Sequence, residues 1–155
     1  MPLIEPGRKA PAFALKDQHG NTHRLSDYAK RFLILYFYPK DDTPGCTKES
    51  CDFQSSLPTL KPHNAAVLGV SILDEASKAG FAGKYGLTFP LLADPDHDVA
   101  EKYGVWQKKS RYGRSYMGIV RTTYLIGPDG KVVERWDNVK VEGHVDAVAA
   151  AIPSA

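Results

Sequence analysis

Cys46 and Cys51 are the only cysteines in a chain of 155 residues, and both sit just beyond the segment Thr43-Pro44-Gly45. A hydroxyl residue followed by proline is a strong helix start, with Thr43 at the N-cap and Pro44 at the first helical position. Cys46 then falls in the first turn, where unpaired backbone N–H groups and the positive end of the helix dipole favour thiolate over thiol. Asp41, Asp42 and Glu49 are close in sequence and oppose that effect, so a cation is required. Lys40 and Lys48 are local but belong to a solvated surface. Arg121 is the better candidate, because it interrupts the apolar pattern Ile119-Val120 and Tyr124-Leu125-Ile126, where an arginine is costly unless something anionic meets it. An edge-strand arginine facing water, and two inert core thiols, are the competing readings.

The spacing of the two cysteines adds a constraint. Five residues along a helix correspond to about 7.5 Å of rise and roughly 140° of rotation, which separates the Cα atoms by about 8.5 Å. A disulfide tolerates no more than about 7 Å and needs converging Cβ vectors. The two sulfurs can therefore join only if the first turns of this helix unwind, carrying Phe53 out of its packing. That permits a two-stage cycle, in which Cys46 reacts in the folded form and local unfolding then delivers Cys51.

The elements that must position these residues follow from patterning. Phe32 to Tyr38 is a nearly continuous apolar and aromatic run, the mark of a strand buried on both faces, and Ala65 to Ile72 is a second. The cysteine helix is expected to run from Pro44 to about Leu57, before Pro58. Asp74 to Tyr85 predicts a helix closed by Gly86, and Asp96 to Tyr103 a short one ending at Gly104. Phe89 to Ala93 predicts a short strand, placed at an edge by its proline. Residues 1–12 form an extended arm, Phe13 to Leu25 a small hairpin, and Ser26-Asp27 a helical turn. Gly118 to Ile126 and Lys131 to Trp136 flank the turn Gly127-Pro128-Asp129-Gly130 as a second hairpin, and residues 143–152 predict a closing amphipathic helix. Strands alternating with helices give an α/β class, a central mixed β-sheet flanked by helices with an N-terminal β-hairpin, in one domain over residues 1–155.

Composition narrows the function. The net charge of +2 is too small, and the cations too dispersed, to argue for nucleic acid or an anionic membrane. No apolar run approaches the roughly 20 residues of a membrane span, and Met1 to Pro6 lacks the features of a signal peptide, so a cytoplasmic location is expected. His19, His23, His63, His97 and His144 are read as solvated surface residues, which argues against a cysteine hydrolase, with its histidine base, and against zinc. Trp106, Tyr112 and Tyr116 are read as core or rim packing. A thioredoxin-like disulfide oxidoreductase normally uses Cys-x-x-Cys, which four intervening residues do not match. A redox-sensing module that uses the disulfide only as a switch is the non-enzymatic alternative.

Pro39-x-x-x-Thr43-x-x-Cys46 resembles the active-site signature of the peroxiredoxins. The wider run Tyr36 to Glu49 is similar to their bacterioferritin-comigratory, or peroxiredoxin Q, branch. The resemblance extends through Lys9-Ala10-Pro11-x-Phe13, Tyr85-Gly86-Leu87-x-Phe89-Pro90-Leu91-Leu92-x-Asp94, Tyr103-Gly104-Val105-Trp106 and Gly118-x-x-Arg121-x-Thr123-Tyr124-Leu125-Ile126. It implies a thioredoxin-like fold and a thiol peroxidase that needs neither metal nor cofactor. Cys46 would be the peroxidatic cysteine and Cys51 the resolving one. Thr43 and Arg121 would align thiolate and peroxide, Pro39 would shield the pocket, and Glu49 would orient Arg121. The same resemblance implies an intramolecular disulfide, reduction by thioredoxin or a related dithiol protein, and a monomer. Departures at Tyr28 to Arg31 and at Asp74 to Ala79 are expected to leave the pocket untouched.

Overall fold

In the computed structural model, residues 2–153 are described; the remaining ends of the expected 1–155 domain, residues 1, 154 and 155, lie outside the described residues. After an extended arm, β1 (Ala14–Lys16) and β2 (Thr22–Arg24) form the expected hairpin, followed by a 3₁₀ turn at Leu25–Tyr28. The apolar run becomes β3 (Phe32–Phe37), and α1 follows as Pro44–Leu60. Then come β4 (Ala65–Ser71), α2 (Glu75–Tyr85), β5 (Leu91–Ala93) and α3 (Asp98–Lys102). The chain ends through β6 (Trp106–Arg111), β7 (Arg114–Ile119), β8 (Thr122–Ile126), β9 (Val132–Trp136) and α4 (His144–Ala151).

Seven strands pair in the order β2-β1-β5-β4-β3-β8-β9, with β3, β4 and β5 parallel and the remaining pairings antiparallel. Burial on both faces explains the uninterrupted apolar runs of β3 and β4. On one face Ile34, Tyr36, Val67, Leu91 and Leu125 pack with Phe53 of α1, Phe81 of α2 and Val145 and Val148 of α4. On the other, Leu33, Leu35, Phe37, Leu68, Val70 and Tyr124 pack with α3 and with Ala10 and Phe13 of the arm and hairpin. No helix among the described residues is long and apolar enough to cross a membrane.

Four expectations are corrected. α1 does not stop at Leu57 but continues through Pro58 to Leu60. Proline forfeits one backbone bond there, and burial of Leu60, 1% exposed, holds the last turn down. β5 is not an edge strand: it lies between β1 and β4, begins after Pro90, and Pro90 uses its carbonyl to accept from Gly69. The stretch Gly118 to Ile126 is not one strand, because it breaks at Val120-Arg121. Gly118 and Ile119 instead close a separate two-stranded ribbon, β6–β7, which patterning did not reveal. Tyr112 at its tip, read as core or rim packing, is 91% exposed, so it is neither.

Candidate functional site

β3 ends beneath the N-terminus of α1, and the loop Tyr38 to Asp42 between them is gripped by α2. Asp41 is buried and accepts from Lys78, whose ammonium is fully enclosed, and from Ser77. Asp42, at φ 58°, meets Lys84 at 2.8 Å and the hydroxyl of Tyr85. The two aspartates that threatened a thiolate at Cys46 are thus each committed to a cation of α2. The departure at Asp74 to Ala79, expected to leave the pocket alone, supplies Ser77 and Lys78 to the loop that carries it.

Thr43 is the N-cap residue with extended backbone, as expected, but its hydroxyl does not cap the helix: it donates to the carbonyl of Lys40 at 3.0 Å. The helix start rests instead on Pro44 and on the first backbone bond, from Thr47 to Thr43. Cys46 lies at the third helical position and is 1% exposed. Along α1 the buried residues are Cys46, Glu49, Ser50, Phe53 and Leu60, one stripe at helical spacing. Cys51 falls off that stripe, half-buried, in a continuous helix, and both thiols are free. Burial, then the Asp52 carboxylate, pushes the Cys51 thiol above its ordinary value.

Arg121 projects from the break between β7 and β8, its backbone pinned by a bond from Val139 N–H to its carbonyl. The guanidinium donates through Nη2 to Cys46 Sγ at 3.2 Å and through Nη1 to Glu49 Oε1 at 2.7 Å. This fork is the anionic partnership that its apolar neighbourhood demands. Glu49 is fully buried, and desolvation raises its carboxyl to about 7 despite the opposing pull of Arg121. Arg121 and Pro39 line one cleft of ≈ 460 Å³ together with Gln107, Lys109, Val120 and Asn138. Among the predicted residues, Arg121 contacts both Cys46 and Glu49, Pro39 borders the cleft, and Thr43 opens the helix. Cys51 is held apart from them.

Two residues of the site escaped the sequence reading. Gly45 lies under the guanidinium: a Cβ there would stand 3.2 Å from Arg121 Nη2. Gly45→Ala is therefore expected to push the fork off the sulfur and slow the reaction of Cys46 with peroxide about tenfold, as small misplacements of a positioning group do. Stopped-flow measurement of that step checks this; an unchanged rate would show that Arg121 yields without loss. The second is His144, read as solvated but in fact buried, its Nε2 2.8 Å from Thr123 Oγ1 and 4.0 Å from Glu49 Oε2. Its position four residues before Val148 and eight before Ile152, on the apolar stripe of α4, was the available signal.

With this geometry in place, the chain matches the AhpC/TSA family over residues 6–135. It is 46% identical over 142 residues to peroxiredoxin Bcp of Bacillus subtilis, covering 92% of this chain and 90% of the relative. Peroxiredoxin Bcp of Escherichia coli K12 is 41% identical over 145 residues, 94% and 93% of the two chains. A solved structure of the Xanthomonas campestris bacterioferritin comigratory protein, described for its alkyl peroxide reduction activity, superposes with a TM-score of 0.90 at 39% identity, covering 96% of this chain and 97% of that one.

Proposed function

From the premise that the chain belongs to the AhpC/TSA family, as a peroxiredoxin of the Bcp and Q branch with a thioredoxin-like fold, we propose how its residues divide the work. The enzyme is a thiol peroxidase that reduces hydrogen peroxide and organic hydroperoxides. Cys46 is the peroxidatic residue: its thiolate attacks the terminal oxygen of the peroxide, the S–O bond forms as the O–O bond breaks, and the leaving alkoxide or hydroxide takes up a proton to become the alcohol or water. Cys46 is left as a sulfenic acid. Thr43 and Arg121 align the reacting atoms, Glu49 orients Arg121, and Pro39 shields the cleft.

Cys51 is the resolving residue. The first turns of α1 unwind, the Cys51 sulfur attacks the sulfenic sulfur, water leaves, and an intramolecular disulfide forms. Thioredoxin or a related dithiol protein then returns both thiols by exchange. We assign this cycle to a single-domain monomer in the cytoplasm.

The observation that supports the reading best is the guanidinium fork joining Cys46 to Glu49. A thiol switch has no use for such a fork in a cleft, whereas charge developing on a breaking O–O bond needs it. The test is peptide mass mapping after one equivalent of peroxide without reductant. A Cys46–Cys51 linked peptide within a single chain is expected. A disulfide between two chains, or Cys46 left as sulfenic acid while Cys51 stays reduced, would reject the resolving role.

A further inference from the structure

Glu49 is fully buried, yet only Oε1 of its carboxylate is engaged, by Arg121; Oε2 has no hydrogen-bond partner. A buried carboxylate oxygen without a donor is costly, so a donor close by is called for. Cys46 Sγ is taken up by Arg121 Nη2, Asp52 on the same helix only accepts when ionised, and Tyr36 of β3 has its hydroxyl on Ser50. Arg121 already serves Oε1. His144 remains, at the first turn of α4 and 4.0 Å away. Its ring is held edge-on to Phe53 of α1 and to Trp136 of β9, and its Nε2 also meets Thr123 of β8.

We infer that His144 is a positioning residue of the peroxide site, its Nε2–H directed at Glu49 Oε2 across 4.0 Å while Nε2 also meets Thr123 Oγ1, so that this dipole favours the ionised form of Glu49 and keeps Arg121 aimed at Cys46. The inference rests on the reading of Cys46 and Arg121 given above. Burial, then the charge of Arg121, holds His144 down to about 4, while burial raises Glu49 to about 7. The two are therefore not an ion pair: by the pH at which Glu49 ionises, the imidazole is neutral. A neutral imidazole carries one N–H; the Thr123 hydroxyl at 2.8 Å suits either tautomer, whereas Glu49 Oε2, which only accepts when ionised, requires the proton on Nε2. A donor to the carboxylate favours its charged form, so losing that donor must raise the pH at which Glu49 ionises.

The test is the pH profile of the single-turnover oxidation of Cys46 by hydrogen peroxide. His144→Phe keeps an aromatic ring and removes the N–H, while His144→Gln returns a side-chain donor. For His144→Phe the acid limb is expected to move up by about half to one pH unit, with a rate loss of about three- to tenfold near pH 6 and the parent plateau at alkaline pH. His144→Gln is expected to bring the limb back. A limb that stays or moves down, or a curve lowered equally at every pH, overturns the inference. Nitrogen NMR of the histidine ring in the unmodified protein decides independently of whether the variant folds: the Nε2–H tautomer is required, and an Nδ1–H tautomer overturns the assignment. Failure of the underlying reading is distinguishable, because it would appear as an active Cys46→Ser protein.

Discussion

A Cys46→Ser protein is expected to consume peroxide no faster than the reductant alone, a loss on the order of 10⁴-fold or more. The hydroxyl that replaces the sulfur is neutral at any working pH, so Arg121 loses the anion at Nη2, keeping only Glu49 at Nη1, and the peroxide loses its nucleophile. Cys51→Ser is expected to behave differently: one turnover at close to the parent rate, then arrest with Cys46 as sulfenic acid and further oxidation under excess peroxide. The asymmetry follows from the stripe of α1. Cys46 shares it with Glu49 and Phe53, under the fork, whereas Cys51 lies roughly 140° round the helix in a half-buried position where burial and Asp52 favour its thiol form. Tryptophan fluorescence during a single turnover, read beside mass spectrometry of the trapped product, separates the two steps. Equal, slow activity in both variants would reject the assigned roles.

How much of this was legible beforehand depends on where each partner sits in the chain. β3, β4 and the start of α1 declared themselves, because apolar runs and a Thr-Pro helix start are local signals. The break at Val120-Arg121 did not, since apolar residues continue across it, and the β6–β7 ribbon hid in a segment whose strands carry Lys108, Lys109, Arg111 and Arg114 rather than an alternating apolar face. Such a ribbon is held by its own ladder and by contacts at its base, not by burial along its length. Arg121 was found because a charge in an apolar pattern demands a partner, and the same logic applied to periodicity would have found two more. Lys78 shares a helical face with Phe81, Ala82 and Tyr85, and His144 with Val148 and Ile152. Asp41 lies 37 residues from Lys78, and Thr123, the hydrogen-bond partner of His144, lies 21 residues from it with Glu49 a further 74 away, so neither environment could be read from spacing alone.

Arg121→Met is expected to cost on the order of 10²–10³-fold in kcat/KM for peroxide while leaving the fold intact, the scale of losing one charged donor at a developing negative charge. The loss has two parts. The sulfur no longer has the Nη2 donor at 3.2 Å, and Glu49 no longer has the Nη1 donor at 2.7 Å. Arg121 is what restrains the rise of the Glu49 carboxyl, already raised to about 7 by burial. Without it Glu49 takes up a proton at neutral pH, so the variant cannot be rescued by realigning Glu49 alone. Arg121→Lys tests which part matters more. A lysine keeps the charge but presents a point donor that cannot bridge sulfur and carboxylate together, so it is expected to recover only a fraction of the lost rate. Arg121→Met together with Glu49→Gln is expected to be little worse than Arg121→Met, because the two residues act as one unit. Steady-state kinetics across this series, with circular dichroism to confirm folding, provide the check. Full activity in Arg121→Lys would mean that charge alone, and not the fork, prepares Cys46.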